Sequence, residues 1–309
     1  MIDRLLVRQA CRVVPLLPLC AIAGCLPAAP CENAASGGGT TLVLTFDDGP
    51  LPADVAQIDA PLDSDALLAP LRDILATLHA RHLPAVFFVQ GPRTTAAADA
   101  LRAVYAEALV EIHAAGHVAG YHGFAPDPPV WIQPLTPPVL AAGAMSRDLD
   151  RLVAYLDAAL APTGVGREQV FAPVFRQPFG GAGVSRSAGV LAAAARGWTY
   201  RGFALDSTDW IVNADAPLAL LGIDELTAES AAARVAERLA RAAHRPRDGR
   251  IVDVLFHVNH LTATHLDAWL DVLMDAFESA DGAPPIFDVP ACYLSHSDAT
   301  VDFGVFVEP

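Results

Sequence analysis

Short apolar runs alternate with helix-like stretches along this chain from Thr41 onward, and that alternation restricts the fold more than any other feature. The apolar runs are rich in β-branched and aromatic residues, which is typical of strands buried on both faces of a parallel sheet. The predicted strands are Leu42–Phe46, Ala85–Val89, Val118–Tyr121, Phe171–Arg176, Tyr200–Leu205, Ile251–His257 and Ile286–Val289. The pattern predicts an α/β fold with about seven parallel strands in a barrel or near-barrel.

The stretches between these strands have helical periodicity. The predicted helices are Asp65–His82, Thr95–Ala115, Ser146–Ala161, Ser185–Arg196, Thr227–His244 and Thr262–Ala280, with Ser146, Ser185, Thr227 and Thr262 as N-caps. Two proline-containing segments, Pro126–Pro138 and Asp215–Asp224, are longer than a connection requires, which often means that they shape a site.

The N-terminus has the pattern of an export signal. Residues 1–24 combine a basic start with an apolar stretch, Val13–Ala23, that two prolines interrupt and that is too short to span a bilayer. The sequence Ile22-Ala23-Gly24-Cys25 resembles a bacterial lipobox, so we expect cleavage before Cys25 and lipid attachment to it. An ordinary signal peptide cleaved near Ala28 or Ala29 is the alternative.

The predicted organisation is therefore a signal peptide (1–24), a flexible tether (25–40) and a catalytic domain (41–309). The protein would be exported and anchored to the cell envelope by a lipid, on the periplasmic or outer surface. In an oxidising compartment Cys31 and Cys292 could form a disulfide, although two unpaired thiols are the alternative. The formal net charge of −15 argues against nucleic acid as a partner, because that requires a basic surface.

Polar residues stand at the predicted ends of the strands, where α/β barrels place their reactive groups. Asp47-Asp48 ends the first strand, His122 the third and His257 the sixth. Arg176 closes the fourth strand, and the segment Asp206–Trp210 follows the fifth. Two adjacent carboxylates raise each other's pKa unless a cation intervenes, so a metal ion beside one would leave the other available as a base.

These motifs resemble, in order, those of the polysaccharide deacetylase family, also called carbohydrate esterase family 4. Thr45-Phe46-Asp47-Asp48-Gly49-Pro50 matches the first motif, and Arg176-Gln177-Pro178-Phe179-Gly180 matches the third. Asp206–Trp210 matches the Asp-x-x-Asp-Trp motif, and Leu255-Phe256-His257 matches Leu-x-His. The resemblance covers residues 41–290 and implies a distorted (β/α) barrel.

The second motif departs from the family pattern. The family has His-Ser/Thr-x-x-His with both histidines on the metal, whereas this chain has His122-Gly123-Phe124-Ala125-Pro126. Proline cannot bind a metal, so Asp48 and His122 remain of the usual ligands. Asp127 is the expected replacement, with His260 as a remote alternative. Zinc is the expected metal, with cobalt or nickel as alternatives, and loss of a ligand should weaken its binding.

The resemblance also implies the other roles. Asp47 would be the general base, Arg176 its partner, and His257 the acid that protonates the leaving amine. Asp209 would orient His257, with Asp206 as the second candidate. The backbone N–H of Phe179 would help to stabilise the oxyanion, and Trp210 and Leu255 would enclose the acetyl methyl group.

Three functions remain open on the sequence. The first is a metal-dependent hydrolase that removes N-acetyl groups from N-acetylglucosamine units of an envelope polysaccharide, such as peptidoglycan or an exopolysaccharide. The second is a catalytically impaired glycan-binding lipoprotein, which the Pro126 substitution motivates. The third is a sugar O-acetyl esterase, because an ester is easier to cleave and would tolerate a poorer metal site.

Overall fold

The computed structural model describes residues 40–52, 63–92, 95–124, 138–178, 184–210, 227–242 and 251–295. The chain divides into two units, residues 1–30 and 31–309, and every described residue belongs to the second. The predicted signal and tether therefore stay predictions. None of the helices within the described ranges has the length and hydropathy to cross a membrane.

The described strands form one parallel sheet. They are β1 (Thr41–Gly49), β2 (Ala85–Gln90), β3 (Val118–Gly123), β4 (Phe171–Phe175), β5 (Thr199–Tyr200), β6 (Leu205–Asp206), β7 (Ile251–His257) and β8 (Ile286–Phe287). The order across the sheet is β5-β4-β3-β2-β1-β7-β6, and β8 pairs with the start of β1. All pairings are parallel, which confirms the predicted α/β class.

The predicted strand Tyr200–Leu205 is wrong as a single element. The structure splits it into β5 and β6, which lie on opposite edges of the sheet although only residues 201–204 separate them. Five peptide units reach at most about 17 Å, so the two edges must approach each other. The sheet therefore curls into a distorted (β/α) barrel, as predicted.

Most helices pack on the outside of the curled sheet, whereas the last short helix contributes Tyr293 to the inside. The helices are α1 (Ser64–Ala80), α2 (Thr95–Ala114), α3 (Pro138–Leu160), α4 (Arg167–Val170), α5 (Val184–Ala194), α6 (Ala228–Ala242), α7 (His260–Asp281) and α8 (Ala291–Ser295). Three predicted starts are wrong, those at Ser146, Ser185 and Thr262. The cap of α7 is Asn259, whose side chain accepts from the Thr262 N–H at 2.8 Å. Thr227 does cap α6, because its Oγ1 accepts from the Ser230 N–H at 3.2 Å.

The alternation of side chains along each strand separates two apolar layers. Phe46 stacks between Phe87 and Phe256 in the layer between sheet and helices, with ring centroids 5.0 and 5.7 Å away. A smaller cluster fills the inside of the curl: Val43, Val86, Phe88, Val174 and Tyr293. The two layers hold the strands rigidly, so the side chains at the strand ends have fixed positions.

Candidate active site

The polar residues at the strand ends lie at one rim of the sheet, because parallel strands all end on the same side. Asp47 and Asp48 come from the end of β1, and His122 comes from the end of β3. Arg176 follows β4, Asp209 follows β6, and His257 is the last residue of β7. In the ladder between β1 and β7, Asp47 pairs directly with His257.

Asp47 is a buried carboxylate held by a buried arginine. Its Oδ1 accepts from Arg176 Nη1 at 2.9 Å, and both side chains are almost inaccessible to solvent. Burial lowers the pKa of Arg176, but the charges of Asp253 and Asp47 outweigh it and raise the pKa. The guanidinium is therefore always charged and keeps one oxygen of Asp47 occupied. The other oxygen, Oδ2, faces the site and lies 3.8 Å from His122 Nε2.

Asp48 and His122 point toward each other. Asp48 has a left-handed backbone, with φ of 63°, and its Oδ1 lies 3.3 Å from His122 Nε2. The other ring nitrogen, Nδ1, lies 2.8 Å from the carbonyl oxygen of Arg176. A carbonyl only accepts, so Nδ1 carries a proton, and Nε2 is the nitrogen directed at the carboxylates. A carboxylate oxygen this close to Nε2 requires a cation or a proton between the two atoms.

This donor set fits a divalent metal as far as the described residues extend. A neutral imidazole fixed through its other nitrogen and a carboxylate are the ligands that zinc uses. Within the described ranges, however, there is no group of three or more His, Cys, Asp or Glu side chains that could hold an ion. Pro126 and Asp127, the predicted replacement ligand, lie outside those ranges, and His260 is an exposed residue at the start of α7.

Asp209 anchors His257 through a dense set of hydrogen bonds. Its carboxylate accepts from His257 Nδ1 at 2.8 Å and from the His257 backbone N–H at 2.7 Å. It also accepts from the side chains of Ser207, Asn259 and Thr262. Burial opposes ionisation of Asp209, yet His257 and these donors lower its pKa. Asp209 is therefore an anion at neutral pH, and it fixes the proton of His257 on Nδ1.

His257 is held in its protonated form. Burial lowers the pKa of His257, but Asp209, Asp48 and Asp47 together raise it to about 10. Because Nδ1 is directed at Asp209, Nε2 is the ring nitrogen that can donate a proton to a bound molecule. A protonated Nε2 at neutral pH is what a general acid requires.

Asp206 has a different environment from Asp209. Its carboxylate accepts from the Thr208 backbone N–H at 2.7 Å and from Trp210 Nε1 at 3.4 Å. Thr208 has φ of 65°, which is unusual for a β-branched residue and indicates that the turn is held in a strained form. The turn thus directs Asp209 to His257 and leaves Asp206 to orient Trp210, which is half-buried.

The remaining predicted residues are placed in part. Leu255 is buried on β7, two residues before His257, and so faces the same side of the strand. Phe179 lies outside the described residues, so its predicted backbone contribution stays a prediction. Cys292 is disulfide-bonded, and its partner also lies outside them.

Several residues that support the site were not predicted from the sequence. Thr45 and Ser207 lie inside the quoted motifs but received no role there, and Asn259 and Thr262 follow Leu-x-His too closely to stand out. Asp253 had a signal, because it is a lone carboxylate inside an apolar strand. Tyr293 had none, since only the fold brings it to the strand ends.

Comparisons with known proteins identify the domain. The model of the polysaccharide deacetylase family matches residues 34–185, a stretch that includes Asp47, Asp48, His122 and Arg176. A search of curated proteins found no significant match.

Solved structures that match include a polysaccharide deacetylase from Bacillus cereus, with 17% identity over 81% of this chain and 92% of that one at a TM-score of 0.48. A peptidoglycan N-acetylglucosamine deacetylase catalytic domain from Eubacterium rectale has 16% identity over 86% of this chain and 96% of that one, with a TM-score of 0.48. A family 4 carbohydrate esterase from Streptomyces lividans has 18% identity over 80% and 91%, with a TM-score of 0.43.

The family match covers three of the strand ends that form the site, those of β1, β3 and β4. The match supports a deacetylase function at the level of the family. The chain therefore carries a polysaccharide deacetylase domain, which the family model matches over residues 34–185.

Proposed function

We propose that this protein is a metal-dependent hydrolase that removes N-acetyl groups from N-acetylglucosamine units of an envelope polysaccharide. One observation carries the proposal: a carboxylate and a protonated histidine sit on paired positions of β1 and β7, each with its own buried ionic partner. Amide hydrolysis needs a base that takes a proton from the attacking water, here the carboxylate, and an acid that protonates the leaving nitrogen, here the histidine.

Asp47 would act as the base. Arg176 occupies Oδ1, so Oδ2, which faces the site, is the oxygen that would accept a proton from the attacking water. The water oxygen then bonds to the acetyl carbon. Asp48 and His122, with Asp127 as the proposed third ligand, would hold a divalent metal, whose contribution is to acidify the water and polarise the carbonyl.

His257 would act as the acid. Its Nε2–H donates a proton to the sugar nitrogen as the C–N bond breaks, and the products are acetate and a free amine. Asp209 stabilises the protonated ring before the transfer and holds it in one orientation. Leu255 and Trp210 are proposed to enclose the acetyl methyl group.

The location of the reaction is part of the proposal. Cleavage before Cys25 and lipid attachment would anchor the enzyme in the cell envelope, where acetylated glycans are the available substrates. In a host that processes lipoproteins, Cys25→Ser should move the protein from the membrane fraction to the soluble fraction. An unchanged distribution would contradict the anchor and leave the hydrolase proposal intact.

Acetate release is the decisive test. The chain without residues 1–24 should release acetate from chitooligosaccharides or peptidoglycan when Zn²⁺ or Co²⁺ is added. Asp47→Asn should abolish release without loss of bound metal, because Asp47 is the proposed base and Asp48 the ligand. Asp271→Asn is a matched control, since Asp271 pairs with Arg81 on the outer helices.

Two outcomes would favour the other functions. Acetate from O-acetyl xylan but not from N-acetyl sugars would identify an esterase. No acetate with any metal, together with retained glycan binding, would identify a glycan-binding lipoprotein, the candidate that the Pro126 substitution favours.

A further inference from the structure

Asp253 is a buried carboxylate that the proposed chemistry does not use. It lies in the middle of β7, only 5% exposed, in a strand whose other buried members are apolar. A charge in such a place is costly unless it is paired and hydrogen-bonded. Its position therefore requires a specific partner.

That partner is Arg176, whose guanidinium lies between two carboxylates. Nη1 donates to Thr45 Oγ1 at 2.7 Å and to Asp47 Oδ1 at 2.9 Å. Nη2 donates to the Gly202 carbonyl and to Asp253 Oδ2, each at 2.6 Å. The Phe88 ring lies 4.2 Å from the guanidinium carbon and limits its movement out of plane. Asp253 thus fixes the group from the side opposite Asp47.

Asp253 is itself held by Tyr293. The Tyr293 hydroxyl donates to Asp253 Oδ2, and Thr45 Oγ1 donates to Oδ1 at 3.0 Å. Tyr293 lies in the short helix α8, more than 30 positions after β7 in the sequence, and its side chain is fully buried. Burial and the charge of Asp253 raise the pKa of Tyr293 well above its ordinary value, so the hydroxyl keeps its proton.

The backbone of α8 is fixed as well. Arg201 donates through Nε to the Tyr293 carbonyl at 2.6 Å and through Nη2 to the Cys292 carbonyl at 3.1 Å. Its guanidinium also lies 4.1 Å from the centre of the Tyr293 ring. Hydrogen bonds between buried groups therefore connect Arg201 and α8, through Asp253, to Arg176 without interruption.

We propose that Asp253 and Tyr293 are positioning residues that hold the Arg176 guanidinium in line with Asp47. The inference rests on the proposed function of Asp47 as the base. Without Asp253, Nη2 keeps the Gly202 carbonyl at 2.6 Å and a long, neutral contact to the Tyr293 hydroxyl at 3.5 Å, and the guanidinium loses the charged partner that prevents it from pivoting. Asp47 would then lose its fixed orientation, and a displacement of about 1 Å in a reacting group can cost about 100-fold in rate.

The test compares acetate release by Asp253→Asn, Tyr293→Phe and the double variant. We expect kcat to fall about tenfold or more in each single variant, with KM and bound metal unchanged, because neither residue touches substrate or ligands. The double variant should be no worse than the more impaired single variant, because both act through Arg176. Tyr155→Phe is the matched control: its buried hydroxyl bonds to the Ala98 carbonyl, away from the site.

Several results would overturn the inference. A purely structural role would lower the melting temperature and leave kcat of the folded fraction unchanged. Additive losses in the double variant would show that the two residues act separately. Tyr293→Phe keeps the test available should Asp253→Asn fail to fold.

A crystal structure of either single variant separates this inference from the proposed function. We expect the contact between Arg176 Nη1 and Asp47 to lengthen from 2.9 Å beyond hydrogen-bond distance. An unchanged contact would refute the positioning role, whether or not the enzyme releases acetate. No acetate from the wild type, together with a lengthened contact, would refute only the proposed function.

Discussion

Replacement of Asp209 by asparagine tests the electrostatic origin of the acid. The change keeps the shape of the side chain but removes the charge that faces His257 Nδ1 at 2.8 Å. We expect the pKa of His257 to fall by about 2 to 3 units, the upper part of the range that one opposite charge at this distance produces.

The structure also gives the scale of the effect. The pKa of His257 is raised from 6.5 to about 10, which corresponds to about 5 kcal/mol in favour of the protonated ring at about 1.4 kcal/mol per pKa unit. Burial opposes this shift, while Asp48 and Asp47 supply part of it, and a fall of about 2 to 3 units in Asp209→Asn corresponds to a loss of about 3 to 4 kcal/mol. A metal bound beside Asp48 would offset that residue's charge and lower the pKa of His257 further in both proteins.

Titration of the His257 ring by NMR in the metal-free protein is the direct measurement. The wild type should titrate near pH 10, and the variant well below it. A variant in which His257 still titrates near pH 10 would refute the assignment of Asp209 as the main cause of the raised pKa of His257. Asp206→Asn is the control, because Asp206 lies in the same turn but bonds to Thr208 and Trp210. It should shift the titration by less than about 1 unit.

Stability should follow the same linkage. The folded protein binds the His257 proton more tightly than the unfolded chain, so the pair stabilises the fold fully below about pH 6.5, and this contribution is lost as the pH rises through about 10. The difference in unfolding free energy between wild type and Asp209→Asn should therefore be largest in acid to neutral buffer. It should shrink as the pH approaches 10, as urea titrations at a series of pH values would show.

Three further substitutions test other parts of the structure. Asp48→Ala should abolish zinc uptake, measured as bound metal after dialysis, with a small fall in the melting temperature, because alanine tolerates the left-handed backbone at φ of 63° less well than aspartate. Arg176→Met should lower the free energy of unfolding by about 3 to 5 kcal/mol, because it leaves two buried carboxylates without their cation. Gly189→Ala should cost about 1 to 3 kcal/mol, because an added Cβ would lie 2.3 Å from Gln177 Oε1 and 2.6 Å from the Tyr200 ring.

Each of these has a contrary result. Full zinc content in Asp48→Ala would remove that residue from the metal site. A stable Arg176→Met variant would show that the carboxylates find other partners or take up protons. Unchanged unfolding of Gly189→Ala would show that Gln177 can move aside.

The long strands could be predicted from the sequence because their local signal agrees with their environment. The strand Ile251–His257 was predicted with the bounds that the structure has, and Leu42–Phe46 and Ala85–Val89 fell short of the observed ends by a few residues at most. Both faces of these strands are buried, so their near-continuous apolar runs reflect the packing directly.

The failures have a different origin. The run Tyr200–Leu205 reads as one strand, but Arg201 turns to α8 and the Gly202 carbonyl accepts from Arg176, so tertiary contacts break the strand. Likewise Asp253 and Tyr293 are 40 residues apart, and only the closure of the barrel brings them together. Local patterns cannot predict contacts of this kind.

Asp47 and His257 are direct neighbours in the pairing of β1 with β7, and this limits where insertions and deletions can occur in such a sequence. The spacing between neighbouring strands, about 4.8 Å, sets the separation of the two side chains, so loops of any length can be added elsewhere without changing it. Loss of one residue between Thr41 and Asp47 would turn the carboxylate to the opposite face of the sheet. Among relatives, length differences should therefore accumulate in the connections and stay out of these two strands.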